Sequence, residues 1–362
     1  MSDQYFINRQ NKLRELLAKN NLDGMLVTNL VHIRYLCGFT GSAGSLVLTH
    51  NSCDFITDGR YTFQSKNEVK GAKTTISSDL HLNVVKKNNL LVSGAKIGFD
   101  SKNISHQTYL ELQKSLSNII WNGISGYIES LSMVKDDKEI QAIKTAVEIT
   151  DKAFAEVFPM IQIGVQEKDI ANKLSFLYRQ YGDADADAFS PIVGSGPHSA
   201  MPHQRPTDKE IGPGELVVID SGAKYAGYHA DMTRTVATKG YSEQQKDIYN
   251  IVLEAQLKSI EGIKPGVSCK EIDSIARTHI TDAGYGKYFD HGLGHSLGLE
   301  IHEDPRFSKV SKDTLKSNYV MTVEPGIYLE DVGGVRIEDD IVVTDNGYEV
   351  LNKTSKDFTV IS

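Results

Sequence analysis

The sequence predicts a two-domain protein, an α/β domain followed by a larger domain of mixed helices and strands. The chain has 362 residues, more than one hydrophobic core usually organises. Helical and strand-like segments alternate over the first 130 residues, which is typical of an α/β domain with a central sheet. The charged stretch 135–138 then precedes a long amphipathic segment. We therefore place the domains at 1–131 and 132–362.

The N-terminal domain begins with a helix. Residues 4–20 show helical spacing, with Leu13, Leu16 and Leu17 on one face. Short apolar runs bounded by turn residues predict buried strands at 25–27, 45–49, 53–57 and 96–100. A loop of small residues, 40–44, lies between the first two of these strands, and residues 68–89 are expected to be mostly helix and loop.

The C-terminal domain shows helices followed by strands, twice over. Apolar periodicity predicts a long helix from about 138, and further helices at 167–181, 242–262 and 268–283. Strand-like runs lie at 216–220, at 229–236 and in the last 70 residues. The repeated order hints at two similar halves within an α+β domain.

The net charge bears on the class of partner. Charged residues make up 24% and apolar residues 40%, as in ordinary globular chains, and the formal net charge is -8. An acidic balance argues against a nucleic-acid partner, because phosphates require a basic face.

Targeting and membrane signals are not seen in the sequence. No apolar run reaches the roughly 18–20 residues that cross a bilayer, so no membrane partner is expected. The polar start Met1–Gln4 has no apolar signal segment, and we expect a cytoplasmic protein. Cys37, Cys53 and Cys269 are odd in number and widely spaced, which predicts small core residues and no disulfide framework.

Two aspartates bracket a predicted hairpin. Asp220 ends the apolar run 216–219, where a carboxylate is costly unless it is paired or bound to a metal. Asp231 follows eleven residues later, and the loop 222–227 allows antiparallel pairing that would bring the two carboxylates together. Two carboxylates that close cannot both stay ionised without cations. Taken alone, a simpler interpretation is favoured, in which Asp220 caps a turn and Asp231 pairs with Arg234.

Histidines cluster in a glycine-rich segment. His291 and His295 are four residues apart in 290–298, but three glycines argue against a regular helix. No Glu follows the first histidine, so this is not the helical zinc-protease motif. His302 follows shortly after. The alternative is one structural and one surface histidine.

Further acidic residues stand on or beside apolar strands near the C-terminus. Glu324 ends the apolar run 320–323, and Pro325 and Gly326 break that strand. Alternation over 334–343 predicts one strand face that carries Arg336, Glu338 and Asp340. By itself such a face is often only polar surface.

Taken together, the four acidic residues and the histidine indicate a function that none of them indicates alone. Four carboxylates and one imidazole form a ligand set for two divalent cations, drawn from Asp220, Asp231, His295, Glu324 and Glu338. Oxygen-rich ligands without thiolate suit Mn, Co, Fe or Zn, and two such ions can share a hydroxide at neutral pH. No Ser/His/Asp or Cys/His arrangement in the sequence competes with this set.

At these residues the sequence resembles the pita-bread metallopeptidases, namely aminopeptidase P, prolidase and methionine aminopeptidase. The resemblance spans nearly the whole chain. Five segments match in order: 219–222, 230–235, 291–295, 324–328 and 336–339. It implies a creatinase/prolidase-like α/β domain at 1–131 and a pita-bread α+β catalytic domain at 132–362.

The resemblance also implies roles for the ligands. Asp220 would chelate one metal, and Asp231 and Glu338 would bridge both. His295 and Glu324 would hold the other metal, and Glu324 would also shuttle a proton. Manganese is the expected metal.

Four further residues match positions around the substrate. His203 ends a segment, 195–203, that resembles the one beside the substrate. His291 and His302 would bind the scissile carbonyl or stabilise the oxyanion. Arg336 would orient the acidic ligands.

The resemblance narrows the substrate to peptides with an Xaa-Pro N-terminus. Residues 1 to about 130, and segment 29–44 in particular, resemble the N-terminal domain of aminopeptidase P and prolidase, which methionine aminopeptidases typically lack. The loop 40–44 favours an Xaa-Pro aminopeptidase, with an Xaa-Pro dipeptidase as the alternative. A non-catalytic binding protein and a creatinase-like hydrolase are more remote, because such relatives have lost metal ligands. Relatives are often dimers, so a homodimer is expected.

Overall fold

The computed structural model describes residues 3–182 and 187–362. These residues form mixed helices and strands, as the sequence predicts. The chain divides into two compact units, Met1–Ser132 and Met133–Ser362.

The N-terminal unit is built on a six-stranded mixed sheet. Its helices are α1 (Asp3–Lys19), α2 (Leu30–Cys37), α3 (Thr62–Glu68), α4 (His81–Lys87), α5 (His106–Ser115) and α6 (Tyr127–Ser132). Its strands are β1 (Gly24–Val27), β2 (Ser45–Thr49), β3 (Cys53–Thr57), β4 (Lys73–Ile76), β5 (Lys96–Asp100) and β6 (Ile120–Ile124), in the spatial order β4-β3-β2-β1-β5-β6. The four predicted strands are the four inner ones, because only those are buried over most of their length.

The two edge strands of this sheet escape prediction. Lys73–Ile76 lies inside the stretch expected to be helix and loop, and its four residues are exposed or half-buried. Ile120–Ile124 is exposed in a similar way at the other edge. An edge strand with a solvated face has no continuous apolar run to reveal it.

The C-terminal unit has four long helices and thirteen short strands among its described residues. The helices are α7 (Asp137–Val157), α8 (Glu167–Tyr181), α9 (Glu243–Glu261) and α10 (Cys269–Asp282). The strands are β7 (Ile192–Ser195), β8 (Leu216–Ser221), β9 (Lys224–Tyr225), β10 (Tyr228–His229), β11 (Met232–Thr238), β12 (Gly294–Ser296), β13 (Glu303–Phe307), β14 (Val320–Val323), β15 (Gly326–Leu329), β16 (Gly333–Arg336), β17 (Asp339–Val343), β18 (Tyr348–Val350) and β19 (Val360–Ile361).

These strands form two larger sheets and two hairpins. The four-stranded sheet has the order β19-β11-β8-β7, and the five-stranded sheet has the order β13-β12-β14-β17-β18. The hairpins are β9–β10 and β15–β16. The segment 334–343, predicted as one alternating strand, is instead divided between a hairpin and a sheet. Ile337 and Glu338 leave the strand because β16 pairs with β15 and β17 pairs with β14.

Each larger sheet is covered by one pair of helices. Helices α7 and α8 bury Ala153 and Leu174 against Ile219 of β8. Helices α9 and α10 bury apolar side chains, Ile272 among them, against Met321 of β14. The helix-then-strand order noted in the sequence therefore corresponds to two helix-covered sheets.

Two further observations concern membrane-spanning helices and cysteine thiols. None of the helices in the described part of the chain combines the length and the apolar character of a bilayer-spanning segment. The three cysteines are buried and free.

The core of the α8 layer yields a stability prediction. Leu174→Ala should lower the free energy of unfolding by about 2–5 kcal/mol, because the side chain is fully buried and its loss leaves a cavity. Asn172→Ala, at an exposed position of the same helix, is the control and should change it by less than about 0.5 kcal/mol. Denaturant titration measures both values, and similar values for the two variants would contradict the assignment of this helix face to the core.

Candidate metal centre

The two aspartates of the predicted hairpin lie at one end of the four-stranded sheet. Asp220 stands on β8 opposite Thr233 of β11, and Asp231 lies just before β11. Both are buried, at 7% and 5% exposure. Arg234 pairs with Asp339 at 2.8 Å, which excludes the simpler interpretation that Asp231 is its partner.

The remaining predicted ligands come from the five-stranded sheet. His295 lies on β12, Glu324 directly follows β14, and Glu338 directly precedes β17. The His295 Nε2 atom lies 3.4 Å from Glu324 Oε1 and 3.7 Å from Asp231 Oδ2. Ligand atoms of Asp231, His295 and Glu338 all lie within 4.8 Å of one another. Strand ends from two sheets therefore converge on one point.

Three carboxylate oxygens at this point have no hydrogen-bond partner among the described residues. They are Asp220 Oδ1, Asp231 Oδ1 and Glu338 Oε1, and all three are buried. A buried carboxylate oxygen without a partner is costly unless the group is protonated or bound to a cation. The donor set and its unpartnered oxygens thus fit divalent metal ions.

The acidities reflect the crowding of these acids. Burial and then the charge of Glu338 raise the pKa of Asp231 well above its usual range, and burial followed by Glu324 does the same for Glu338. Burial raises the pKa of Glu324 to about 8. Without cations, the centre would therefore take up protons at neutral pH.

His295 is held in the form that binds metals. Its Nδ1 atom lies 3.1 Å from the carbonyl oxygen of Ser296, which can only accept, so Nδ1 carries the proton. The Nε2 lone pair then faces the carboxylates of Asp231 and Glu324. Burial lowers the pKa of His295 to about 3, which keeps the ring neutral.

The second oxygen of two carboxylates is tied back to the protein. Arg336 Nη2 donates to Asp220 Oδ2 at 2.6 Å. The Thr233 hydroxyl donates to Glu338 Oε2 at 2.6 Å, and Arg336 Nε donates to the same hydroxyl at 3.1 Å. Each carboxylate is thereby oriented with its other oxygen free.

Two more acids of the centre are contacted by residues to which the sequence assigned no role, Thr322 and Asp340. The Thr322 hydroxyl donates to Glu324 Oε1 at 3.2 Å. Asp340 accepts the backbone N–H of Asp231 at 2.9 Å. A threonine or aspartate on a strand carries no sequence signal for such a role, because the contact depends on the pairing of distant strands.

The predicted catalytic residues line the same cavity, which has a volume of about 1280 Å³. The cavity brings together all nine predicted site residues: His203, Asp220, Asp231, His291, His295, His302, Glu324, Arg336 and Glu338. His302 packs its ring edge-on against His295, with centroids 4.5 Å apart. The roles of these residues remain predictions.

His291 is part of a hydrogen-bonded chain that the sequence did not reveal. Its Nδ1 atom donates to the Gly292 carbonyl at 2.8 Å, and its Nε2 atom lies 3.1 Å from the Tyr328 hydroxyl. Arg336 Nη1 donates to the same hydroxyl at 2.8 Å, so Tyr328 donates in turn to His291. A direct bond from His291 to a substrate carbonyl would require this chain to open.

The cavity also carries three cationic side chains that were not singled out in the sequence: Arg205, Lys287 and Arg306. Arg306 stands on β13, and its charge contributes to the lowered pKa of His295 and His302, after burial and other causes. An isolated arginine on a short strand gives no sequence signal.

One other group of possible ligands lies in the N-terminal unit. His32 Nδ1 is 3.6 Å from Asp100 Oδ2, and His32 Nε2 is 4.0 Å from Glu129 Oε2. Asp100 also accepts from the Asn103 amide, and Lys102 Nζ lies 3.9 Å from Glu129. Both carboxylates already have other partners, so we interpret this group as an ion-pair cluster.

The chain is similar to known proteins over most of its length. Residues 9–134 match the creatinase/prolidase N-terminal domain, and residues 141–345 match metallopeptidase family M24. An Xaa-Pro dipeptidase of Pyrococcus horikoshii is 37% identical over 346 residues, which cover 96% of this chain and 97% of that protein.

Solved structures resemble the whole chain. An Xaa-Pro dipeptidase of Bacillus anthracis has a TM-score of 0.94 at 39% identity, covering 98% of this chain and 100% of that one. An X-Pro aminopeptidase of Thermotoga maritima has a TM-score of 0.89 at 37% identity, covering 97% and 99%. The predicted fold class, a creatinase/prolidase-like domain followed by a pita-bread domain, is confirmed. The chain belongs to metallopeptidase family M24.

Proposed function

We propose that this protein is a dinuclear-metal peptidase that hydrolyses Xaa-Pro dipeptides. The observation that carries the proposal is the convergence of four carboxylates and one neutral imidazole on one cavity, with three carboxylate oxygens left without a partner. Family membership supports a metallopeptidase, and the names of several relatives support the Xaa-Pro specificity.

Two ions would be held by Asp220, Asp231, His295, Glu324 and Glu338, with Asp231 and Glu338 between them. When bound, such ions supply a hydroxide nucleophile near neutral pH and polarise the scissile carbonyl. Manganese is the proposed metal because the ligands are rich in oxygen, and cobalt, zinc or iron suit the same donors.

Glu324 is the proposed proton carrier. Its carboxyl group lies at the edge of the ligand set and accepts one hydrogen bond, from Thr322 at 3.2 Å. Burial raises its pKa to about 8, and neighbouring cations would lower that pKa. A carboxylate that such cations keep ionised can take a proton from the attacking water and give it to the proline nitrogen.

The other residues would bind and orient the substrate. His203 and His302 line the cavity and would contact the peptide near the scissile bond. Arg336 would keep Asp220 in place through its 2.6 Å contact. His291 would act within its chain to Tyr328 and Arg336, as a neutral ring whose pKa burial lowers to about 4.

The cationic side chains in the cavity favour dipeptides. A dipeptide presents its free carboxylate one residue beyond the scissile bond, where a guanidinium can bind it with two hydrogen bonds. Arg306 is the best placed of the three because it lies opposite His295 in the pairing of β12 with β13. The dipeptidase names of relatives point the same way. These observations support the dipeptidase better than the aminopeptidase that loop 40–44 favoured.

An Xaa-Pro aminopeptidase is the second candidate. The structural match to the Thermotoga maritima X-Pro aminopeptidase favours it. A homodimer stays a prediction of the family resemblance, and a cytoplasmic location stays a prediction from the polar N-terminus.

The substrate length decides between the two candidates. Ala-Pro and Ala-Pro-Gly should be offered to chelator-treated protein and to protein reloaded with Mn, Co or Zn, and the released alanine measured by chromatography. We expect metal-dependent hydrolysis with kcat/KM at least about tenfold higher for the dipeptide, because only its carboxylate gains a charge-assisted contact. Faster hydrolysis of the tripeptide would establish the aminopeptidase. Failure to cleave either by metal-loaded protein would favour the binding-protein alternative.

The role of Arg306 can be tested directly. Arg306→Met should raise KM for Ala-Pro about 10- to 100-fold, because a charge-assisted hydrogen bond contributes about 1.5–3 kcal/mol. Lys287→Met, which removes an exposed cation from the same cavity, is the control. Equal losses in the two variants would mean that general attraction, rather than a specific contact, explains the effect.

Removal of a bridging carboxylate tests the metal centre. Asp231→Asn or Glu338→Gln should lower the metal content, measured by plasma mass spectrometry after dialysis, and reduce turnover by at least about 100-fold, because each removes a shared ligand charge. Asp290→Asn changes an exposed carboxylate of the same cavity and should keep both. Full turnover in either bridging variant would show that the ligand assignment is wrong.

A further inference from the structure

We propose that Glu167 is a positioning residue that holds the segment 195–207, and with it His203, against the metal centre. Glu167 is the first residue of α8, far in sequence from every matched family motif, and it is fully buried. The proposal rests on the proposed function only in that His203 acts on the substrate.

One carboxylate ties the two ends of this segment. Glu167 Oε1 accepts the Ser195 backbone N–H at 2.8 Å and the Ser195 hydroxyl at 3.0 Å. Glu167 Oε2 accepts the Thr207 backbone N–H at 3.1 Å and the Thr207 hydroxyl at 2.8 Å. The residues between Ser195 and Thr207 therefore form a loop that is closed at its base.

Two further contacts fix the base of the loop. His198 Nδ1 lies 3.0 Å from both oxygens of Glu167. The backbone N–H of Lys168 donates to the Thr207 carbonyl at 3.1 Å. Helix α8 thus holds the loop through both a side chain and its first turn.

The far side of the loop reaches the metal centre. Arg336 Nη2 donates to the Pro202 carbonyl at 3.3 Å and to Asp220 Oδ2 at 2.6 Å. His203 is the next residue and lines the cavity. Its ring makes no hydrogen bond to any residue in the described ranges, so the position of the ring depends on the backbone that carries it.

The chemistry of Glu167 suits this role. A buried carboxylate lowers stability unless it is fully hydrogen-bonded. Here the N–H and hydroxyl groups of Ser195 and Thr207 donate to both oxygens of Glu167. The N-terminus of α8 also favours a negative charge. Burial alone would raise the pKa of Glu167, but the hydrogen bonds from Ser195, Thr207 and His198 outweigh burial and lower it. An amide at this position would turn N–H groups toward N–H donors and loosen the base of the loop.

A double-mutant cycle tests the coupling. Glu167→Gln, His203→Ala and the double variant are assayed as metal-loaded protein with Ala-Pro. We expect each single change to lower kcat/KM about 10- to 100-fold, since a displacement of about 1 Å has such effects. The kcat/KM of the double variant should be no more than about threefold below that of His203→Ala, because both changes affect catalysis through the His203 ring. Metal content should equal that of the wild type.

A matched control separates positioning from general destabilisation. Asp151 ties another segment with the same chemistry, accepting the backbone N–H of Lys353 at 2.8 Å and the Thr354 hydroxyl at 2.6 Å. It does not line the cavity, so Asp151→Asn should keep kcat/KM within about twofold. Losses that multiply in the double variant, or loss of metal from Glu167→Gln, would overturn the proposal.

A second measurement needs no substrate. Amide hydrogen exchange of residues 196–206 should be faster in Glu167→Gln than in the wild type, with exchange elsewhere unchanged. If Glu167→Gln fails to fold, Thr207→Val removes only one of the hydroxyl donors and should show the same exchange in weaker form. Unchanged exchange would overturn the proposal that Glu167 holds the segment 195–207 in place. Failure of the wild type to cleave any Xaa-Pro peptide would instead overturn the proposed function and leave the exchange result standing.

Discussion

The crowding of four carboxylates in one cavity, three of them buried and that of Glu324 partly buried, is the constraint on which the rest of this structure depends. Like charges at this distance repel, and each also loses its hydration. Asp220 and Glu338 are held through one oxygen, by Arg336 and by the Thr233 hydroxyl, so that the other oxygen faces the centre. A rigid frame is required, because flexible acids would turn outward to water.

Two sheets provide that frame, and within the five-stranded sheet a glycine lets the neighbouring strands β12 and β14 approach each other. A side chain at Gly294, one residue before His295, would place its Cβ 2.1 Å from the Thr322 carbonyl oxygen of the neighbouring strand. The glycine-rich segment is therefore needed for strand contact. The same segment presents two histidines of the same tautomer, in different surroundings. His295 directs its free lone pair at carboxylates, whereas the lone pair of His291 accepts from the Tyr328 hydroxyl.

The site could be predicted from the sequence where a charged residue stands at the end of an apolar strand. Apolar strands that end in Asp220 or Glu324 predict a site, because a carboxylate at such a position needs a partner. Contacts that depend on strand register could not be predicted, and the hydroxyl of Thr233 is one example. The break at Ile337 was also missed, because alternation over 334–343 continues through it and only the pairing of β16 and β17 with different partners reveals it. The edge strands β4 and β6 were missed because neither has a continuous apolar run.

Charge balance argues for two cations rather than one. Four ionised carboxylates carry four negative charges, and Arg336 is the only described cation in direct contact with one of them at this centre. A single divalent ion would leave a net negative charge in a buried site, which favours protonation of Asp231 or Glu338. Two divalent ions, as proposed above, would balance all four carboxylates, and the guanidinium would then balance one further negative charge. The acids would stay ionised, so that Glu324 could accept a proton from the attacking water.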